Sequence, residues 1–248
     1  MTNQEKIICL SPSGPVDFAV RHAREIWARH RPDLTLEVSV RRDAADPAGT
    51  AGQGYRLRVA GTSVRIEGDD EAGAMYGVLD VADQVEAGTW RDTLADRDVA
   101  PRIEKRGIKF NIPLDARTPS YSDNGDSAQE NIDTVWDMDF WRGFIDRMAL
   151  DRFNVLTLWN MSPGPSLVRV PAFPDVALDD VMRASHAPNS DLRGMALYTP
   201  VQADSLVRLR RLSIDDKIRF WRGVMEYARE RCVSVWLFTW NIYVYGTE

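Results

Sequence analysis

The sequence predicts an α/β protein: a small α+β sandwich over residues 1–95, then, over 102–248, the first three strands of a (β/α)8 (TIM) barrel that stops short of completion. Three observations predict it. Strand-like and helix-like hydrophobic periods alternate along the chain. The segments around Ile108, Val155 and Val235 read as sister strands of one parallel sheet, with helical stripes between them. Polar and aromatic residues collect just after those segments, at Asn111, Asp115, Arg117, Asn160, Trp240 and Asn241. That is the face on which barrel sites are assembled from βα loops.

The first domain opens with a short strand, Ile7-Ile8-Cys9-Leu10, ended by Ser11-Pro12-Ser13-Gly14-Pro15. Ala19, Ala23, Ile26 and Trp27 recur at helical spacing, and Pro32 stops that helix. Leu34, Leu36, Val38 and Val40 alternate with polar residues, as in a half-buried strand. The stretch 42–54 reads as a loop. Tyr55–Val59 and Val64–Glu67 alternate on either side of Ala60-Gly61-Thr62-Ser63, which predicts a hairpin. Asp69 or Asp70 is placed to cap the next helix, whose apolar face is Ala74, Met75, Val78, Val81, Ala82 and Val85. Gly68, Gly73 and Gly77 do not match a dinucleotide-binding spacing, so close helix packing is their expected role. Trp90 to Pro101 carries no long period and reads as a connection.

In the second domain, Lys105–Asn111 is a strand candidate, followed by a polar loop from Pro113 to Asp133. Trp141, Phe144, Ile145 and Met148 lie on one helical face. Asn154–Asn160 is nearly continuous in apolar residues, as parallel strands covered on both faces are. The segment 161–212 is rich in proline and is expected to be a long functional loop with a short helix near Leu178–Ala184. Ser213-Ile214-Asp215-Asp216 fits a capping box with Asp in place of Glu, opening a helix whose stripe is Ile218, Trp221, Met225 and Ala228. Val233–Phe238 is the third strand. The order suits either a barrel or an open doubly wound sheet; long βα loops without a tight glycine turn favour the barrel.

Composition bounds the function. Hydrophobic residues at 44% and charged residues at 27% give a globular balance with ample core. A net charge of -6 argues against nucleic acid, which calls for a basic stripe; the cluster Arg208-Arg210-Arg211 is read as a solvated face. Cys9 and Cys232 are read as free thiols, and His22, His30 and His186 are too scattered for a metal site. No cofactor or metal is expected. The start lacks a signal-peptide pattern and no stretch approaches a membrane span, so a cytoplasmic protein without membrane contact is expected.

Residues 55–85, with Tyr-x-Leu-x-Val, Val-x-Ile-x-Gly and Gly73-Ala-Met-Tyr76-Gly77-Val78-Leu79, resemble the end of the small N-terminal α/β domain of β-hexosaminidases and α-glucuronidases. Pro101-Arg102-Ile103-Glu104-Lys105-Arg106-Gly107 resembles the junction at which those glycoside hydrolases enter their barrel. The resemblance implies a hydrolase of carbohydrate metabolism, exo-acting on a terminal sugar, with a carbohydrate substrate as partner. It implies that Arg106 grips sugar hydroxyls, against a purely structural ion-pair reading of equal weight. Those enzymes usually place an aspartate after the first strand, where this chain has Asn111; Asp115 and Arg117 are then candidates for the sugar contacts. An arginine-rich cleft would suit a uronic acid.

Glycosidic cleavage needs two carboxylates, or one with a substrate group, across the sugar. Asp115, Asp123, Asp126, Asp133, Asp175, Asp179 and Asp180 all fall in predicted loops, and none of the first two strands ends in Asp or Glu. The catalytic pair is therefore expected to lie outside this chain, which alone would be inactive. Substrate-binding candidates are Arg106, Asn111, Asp115, Arg117, Trp159, Asn160, Trp240 and Asn241; catalytic candidates, none. The alternative is a non-catalytic carbohydrate-binding protein. Unpaired barrel edges would favour self-association.

Overall fold

The computed structural model describes residues 6–41, 52–118, 126–160, 163–184 and 206–239. The fold is mixed α/β, with three sheets among the described residues, and divides into two compact units. The first comprises Met1–Arg106, Met148–Asn154 and Arg229–Val233; the second comprises Gly107–Arg147, Val155–Ala228 and Ser234–Glu248.

The first unit contains β1 (Ile7–Cys9), α1 (Gly14–His30), β2 (Thr35–Val40), β3 (Tyr55–Ala60), β4 (Ser63–Gly68), α2 (Glu71–Glu86), α3 (Trp90–Thr93) and β5 (Arg97–Val99). Its sheet has the order β1-β2-β4-β3-β5, parallel from β1 to β4 and antiparallel from β4 to β5. Pro15 in the first turn of α1 suits a position whose N–H would have no helical partner. The helix ends where Arg31 turns left-handed at φ 47° and its N–H donates to the Trp27 carbonyl. Asp70 caps α2, its Oδ1 accepting from the Gly73 N–H at 2.7 Å.

The helices meet each other and close over one core that includes Ile26, Trp27, Leu36, Leu57, Ile66, Met75 and Leu79. Each such side chain contributes roughly 1.5–3 kcal/mol when fully buried. Gly77 allows this approach: a Cβ there would stand 2.6 Å from Ile66 Cγ2 and 3.0 Å from the Tyr55 ring. Gly73 likewise lies against the Gly54 backbone. The stretch Trp90–Pro101 is more than a connection. It forms α3 and then β5, which adds to the sheet beside β3, a pairing that local periodicity cannot reveal in three residues.

The second unit contains β6 (Gly107–Asn111), α4 (Asp126–Val135), most of α5 (Met138–Leu150), β7 (Val155–Trp159), α6 (Gly164–Leu167), a 3-10 turn at Pro174–Val176, β8 (Asp180–Ala184), β9 (Leu206–Arg211), nearly all of α7 (Ile214–Arg229) and β10 (Ser234–Phe238). Strands β10, β7 and β6 form an open, wholly parallel sheet in that order. Its register pairs Asn111 with Trp159 and Trp159 with Phe238.

One face of this sheet is covered by α5, where Phe110 meets Phe140, Trp141 and Phe144 at centroid distances of 5.5–6.1 Å. Side chains alternate across a strand, so Lys109, Asn111, Thr157, Trp159, Trp236 and Phe238 share the other face. Lys109 Nζ sits 5.2 Å from the Trp159 ring there. Trp141 and Trp221 are core residues, in edge contact at 5.4 Å.

Three expectations for this unit are corrected. The polar loop after β6 becomes helical at Asp126. The short helix expected near Leu178–Ala184 is instead strand β8, and part of the expected 161–212 loop is β9. The two strands pair antiparallel across a bulge between Val181 and Met182. Their partners are far apart in sequence, and such pairing overrides weak local propensity. The Arg208, Arg210 and Arg211 cluster is thereby part of a strand, and two of its members are ion-paired.

Candidate functional site

The carboxyl ends of β6 and β7 carry the sequence-predicted candidates Asn111, Trp159 and Asn160. Asn111 is half-buried, Trp159 is buried and Asn160 is completely buried. The Asn160 Nδ2 donates to the Ile112 carbonyl at 2.8 Å, while its backbone N–H donates to the Phe238 carbonyl at 3.2 Å. Asn160 thus ties the ends of all three strands together. Trp240 and Asn241 lie outside the described residues, as does Asp123.

Asp115 and Arg117 come together in the loop after β6. Asp115 is buried and receives a two-pronged contact from Arg117, Nε to Oδ1 at 2.7 Å and a terminal nitrogen to Oδ2 at 2.8 Å. The Arg117 and Met182 backbone N–H groups also donate to this carboxylate. Arg117 reaches on to Asp180 Oδ1 at 2.6 Å, and Arg208 meets Asp180 Oδ2 at 3.0 Å. The Asp115 hydrogen bonds hold the Arg117 pKa above its ordinary value. Desolvation pushes the Asp180 carboxyl upward, but the Arg117 and Arg208 hydrogen bonds outweigh it and leave its pKa lowered.

Lys217, which is not among the sequence-predicted candidates, completes this cluster. It is fully buried, donates from Nζ to the Asp180 carbonyl at 2.8 Å and stands 5.5 Å from the Trp136 ring. Burial pulls its pKa from 10.5 down to about 8, against the pull of Asp115. A signal was available. Ile214, Lys217, Trp221, Val224 and Ala228 are the buried stripe of α7, so a lysine occupies an apolar position in the 3.6-residue period. The helix start itself matches expectation: the Asp216 N–H donates to Ser213 Oγ at 3.2 Å, and the Ser213 N–H to Asp216 Oδ2 at 3.1 Å.

Arg106 stands elsewhere, before the amino end of β6, whereas Asn111 closes its carboxyl end; a five-residue strand is roughly 16 Å long. Its guanidinium donates to the Arg152, Ile103 and Glu104 carbonyls, to Gln53 Oε1 at 2.8 Å and to the Tyr76 hydroxyl at 3.1 Å. All five N–H donors are thereby engaged within the first unit.

Chemically, the strand ends offer amide and aromatic groups with a charged cluster beside them. Among the described residues, no Asp or Glu ends β6, β7 or β10 or follows directly. The described residues also contain no His, Cys, Asp and Glu group able to hold a metal ion, and no described helix is long and apolar enough to cross a membrane.

No protein-family model matches the chain, and no curated protein does. Solved structures do. A GH138 enzyme targeting pectin rhamnogalacturonan II is similar over 96% of this chain and 25% of its own, with a TM-score of 0.65 and 16% identity. The GH20 exo-β-N-acetylglucosaminidase of Vibrio harveyi matches 96% of this chain and 33% of its own, with a TM-score of 0.48 and 14% identity. A GH115 4-O-methyl-α-glucuronidase matches 61% and 24%, with a TM-score of 0.36 and 17% identity. The last two superpose too loosely to carry an argument. The first shows a shared fold with part of that enzyme, and the chain spans about a quarter of its length.

Proposed function

We propose that the chain supplies one rim of a sugar subsite in a (β/α)8-barrel glycoside hydrolase that acts on a terminal sugar, with a uronic acid as the sugar to test first. One observation carries the reading. The parallel β10-β7-β6 sheet buries one face under aromatic α5 and gathers Lys109, Asn111, Thr157 and Trp159 on the other. Polar groups beside an aromatic face match a sugar ring, whose rim is polar and whose C–H faces are apolar. The shared fold with a GH138 enzyme supports the class, and that enzyme's pectic substrate makes rhamnogalacturonan II oligosaccharides the first ligands to try.

Asn111 contacts sugar hydroxyls in this reading, with the Asp115–Arg117 pair beside it. Asp115 is committed to Arg117 and to the Met182 N–H, which suits it to positioning rather than proton transfer. The catalytic carboxylates then come from outside these strands. The lack of a carboxylate at the described strand ends equally favours a second reading, binding without hydrolysis. The test is to titrate the chain with uronosyl, hexosaminyl and neutral glycosides while assaying for released sugar. Saturable binding without release is expected. Release of sugar by the chain would overturn the placement of the carboxylates, and no binding by any member would overturn the subsite.

A further inference from the structure

A cavity lies within the first unit and is not used by the sugar reading. It holds about 200 Å³ and is lined by Gln53, Tyr55, Tyr76, Asp80, Val99, Pro101, Arg106 and Arg152. The lining divides by chemistry: Tyr55, Val99 and Pro101 are apolar or aromatic, and Gln53, Asp80, Arg106, Arg152 and the Tyr76 hydroxyl are polar.

The charges on this wall do not cancel evenly. Asp80 is taken by Arg97 at 2.5 Å and by the Tyr55 hydroxyl at 2.6 Å. Arg152 is taken by Asp83 at 2.6 Å. Arg106 has no carboxylate partner among the described residues; all five of its hydrogen bonds go to neutral oxygens. Its guanidinium, 5.4 Å from the Tyr76 ring, is therefore a cation without a counter-ion on a cavity wall.

Donors are also left over. Tyr76 is 5% exposed, and its oxygen accepts from Arg106. A hydroxyl has a proton to donate as well, and this one meets no acceptor among the described residues. Arg152 uses its terminal nitrogens on the Leu150 carbonyl and on Asp83, so its Nε–H has no described acceptor. Two residues of the lining, Gln53 at φ 74° and Arg152 at φ 62°, hold left-handed backbone that non-glycine residues seldom adopt. Such strain clusters at ligand clamps.

We propose that this cavity binds a small monocarboxylate with a ring body. The carboxylate takes the Tyr76 O–H and the Arg152 Nε–H beside the uncompensated Arg106 charge, and the ring lies against Tyr55, Val99 and Pro101. Arg106 acts as fixed charge and as a positioning residue for Tyr76, its own donors being engaged. The site is independent of the proposed sugar subsite, since none of its residues lies in the second unit.

The test uses benzoate as the probe and benzyl alcohol as its neutral counterpart, read by saturation-transfer NMR on the whole chain. Benzoate is expected to bind saturably and benzyl alcohol about tenfold more weakly, because a charge-assisted pair is lost. Tyr76→Phe keeps the ring and should weaken benzoate about tenfold. Arg152→Lys keeps the charge opposite Asp83 and lacks the Nε–H, so it gives a second reading should Tyr76→Phe fail to fold. No saturable benzoate signal, equal binding of the two probes, or unchanged affinity in a folded variant would each overturn the proposal.

Discussion

The two units solve the burial problem differently. In the first, β1 to β4 all contribute to a core whose central members, Trp27, Leu36, Leu57 and Ile66, are at most 1% exposed. In the second, β6 and β7 are packed against α5, but Trp236, Leu237 and Phe238 of β10 are 40%, 41% and 48% exposed. Consecutive residues of a strand face opposite sides, so β10 keeps exposed apolar surface on both faces. The comparison teaches where function belongs. The first unit closes its strands over one buried core, whereas the second presents an apolar edge and a polar–aromatic face.

The largest expected contrast lies between two tryptophans. Trp27→Ala in the first core should cost about 3–5 kcal/mol, whereas Trp236→Ala on the exposed face should stay within about 0.5 kcal/mol, both read from urea unfolding. Equal losses would erase the distinction between the units. Next in size is Asp115→Ala, which leaves Arg117 without its principal partner and should cost about 3 kcal/mol. A loss below that of an ordinary surface substitution would show the cluster to be idle.

Lys217 offers a test with a sign. Its folded pKa of about 8 lies below the ordinary 10.5. Between those values the unfolded chain holds a proton that the folded chain has released, so stability rises with pH across that window. Below pH 8 the buried charge opposes folding. Lys217→Met should therefore stabilise the protein at neutral pH by about 1–3 kcal/mol and flatten the slope above it. A destabilised variant with the slope intact would show that the ammonium is needed by its neighbours. The smallest thermodynamic change is expected from Leu237→Lys, on the open edge of β10. It should leave the melting temperature nearly unchanged yet reduce self-association in sedimentation velocity, since edge lysines block strand pairing.

Much of this was legible in the sequence, and the missed strands share a cause. Local periods gave α1, α2, α5 and α7 and the strands around Ile108, Val155 and Val235, because each shows its own apolar stripe or run. Strands β5, β8 and β9 were missed because short strands are defined by partners distant in the chain, such as Val99 beside Tyr55 and Met182 beside Arg208. At the candidate site, Asn111 and Asn160 were found because polar residues closing apolar strands stand out. The engagement of Asp115 with Arg117 and the five committed donors of Arg106 are tertiary facts, without a signature in spacing. Lys217 is different: its place on an apolar stripe is visible in the sequence, although lysine is ordinarily a surface residue.

The central claim is that sugar recognition belongs to the β10-β7-β6 sheet and not to the first unit. The most direct measurement is saturation-transfer NMR with galacturonate, N-acetylglucosamine and galactose on the wild-type chain, on Asn111→Ala and on Tyr76→Phe. The account predicts saturable binding of at least one sugar, lost in Asn111→Ala and kept in Tyr76→Phe. Binding that survives Asn111→Ala and disappears in Tyr76→Phe, or no sugar binding at all, would contradict it.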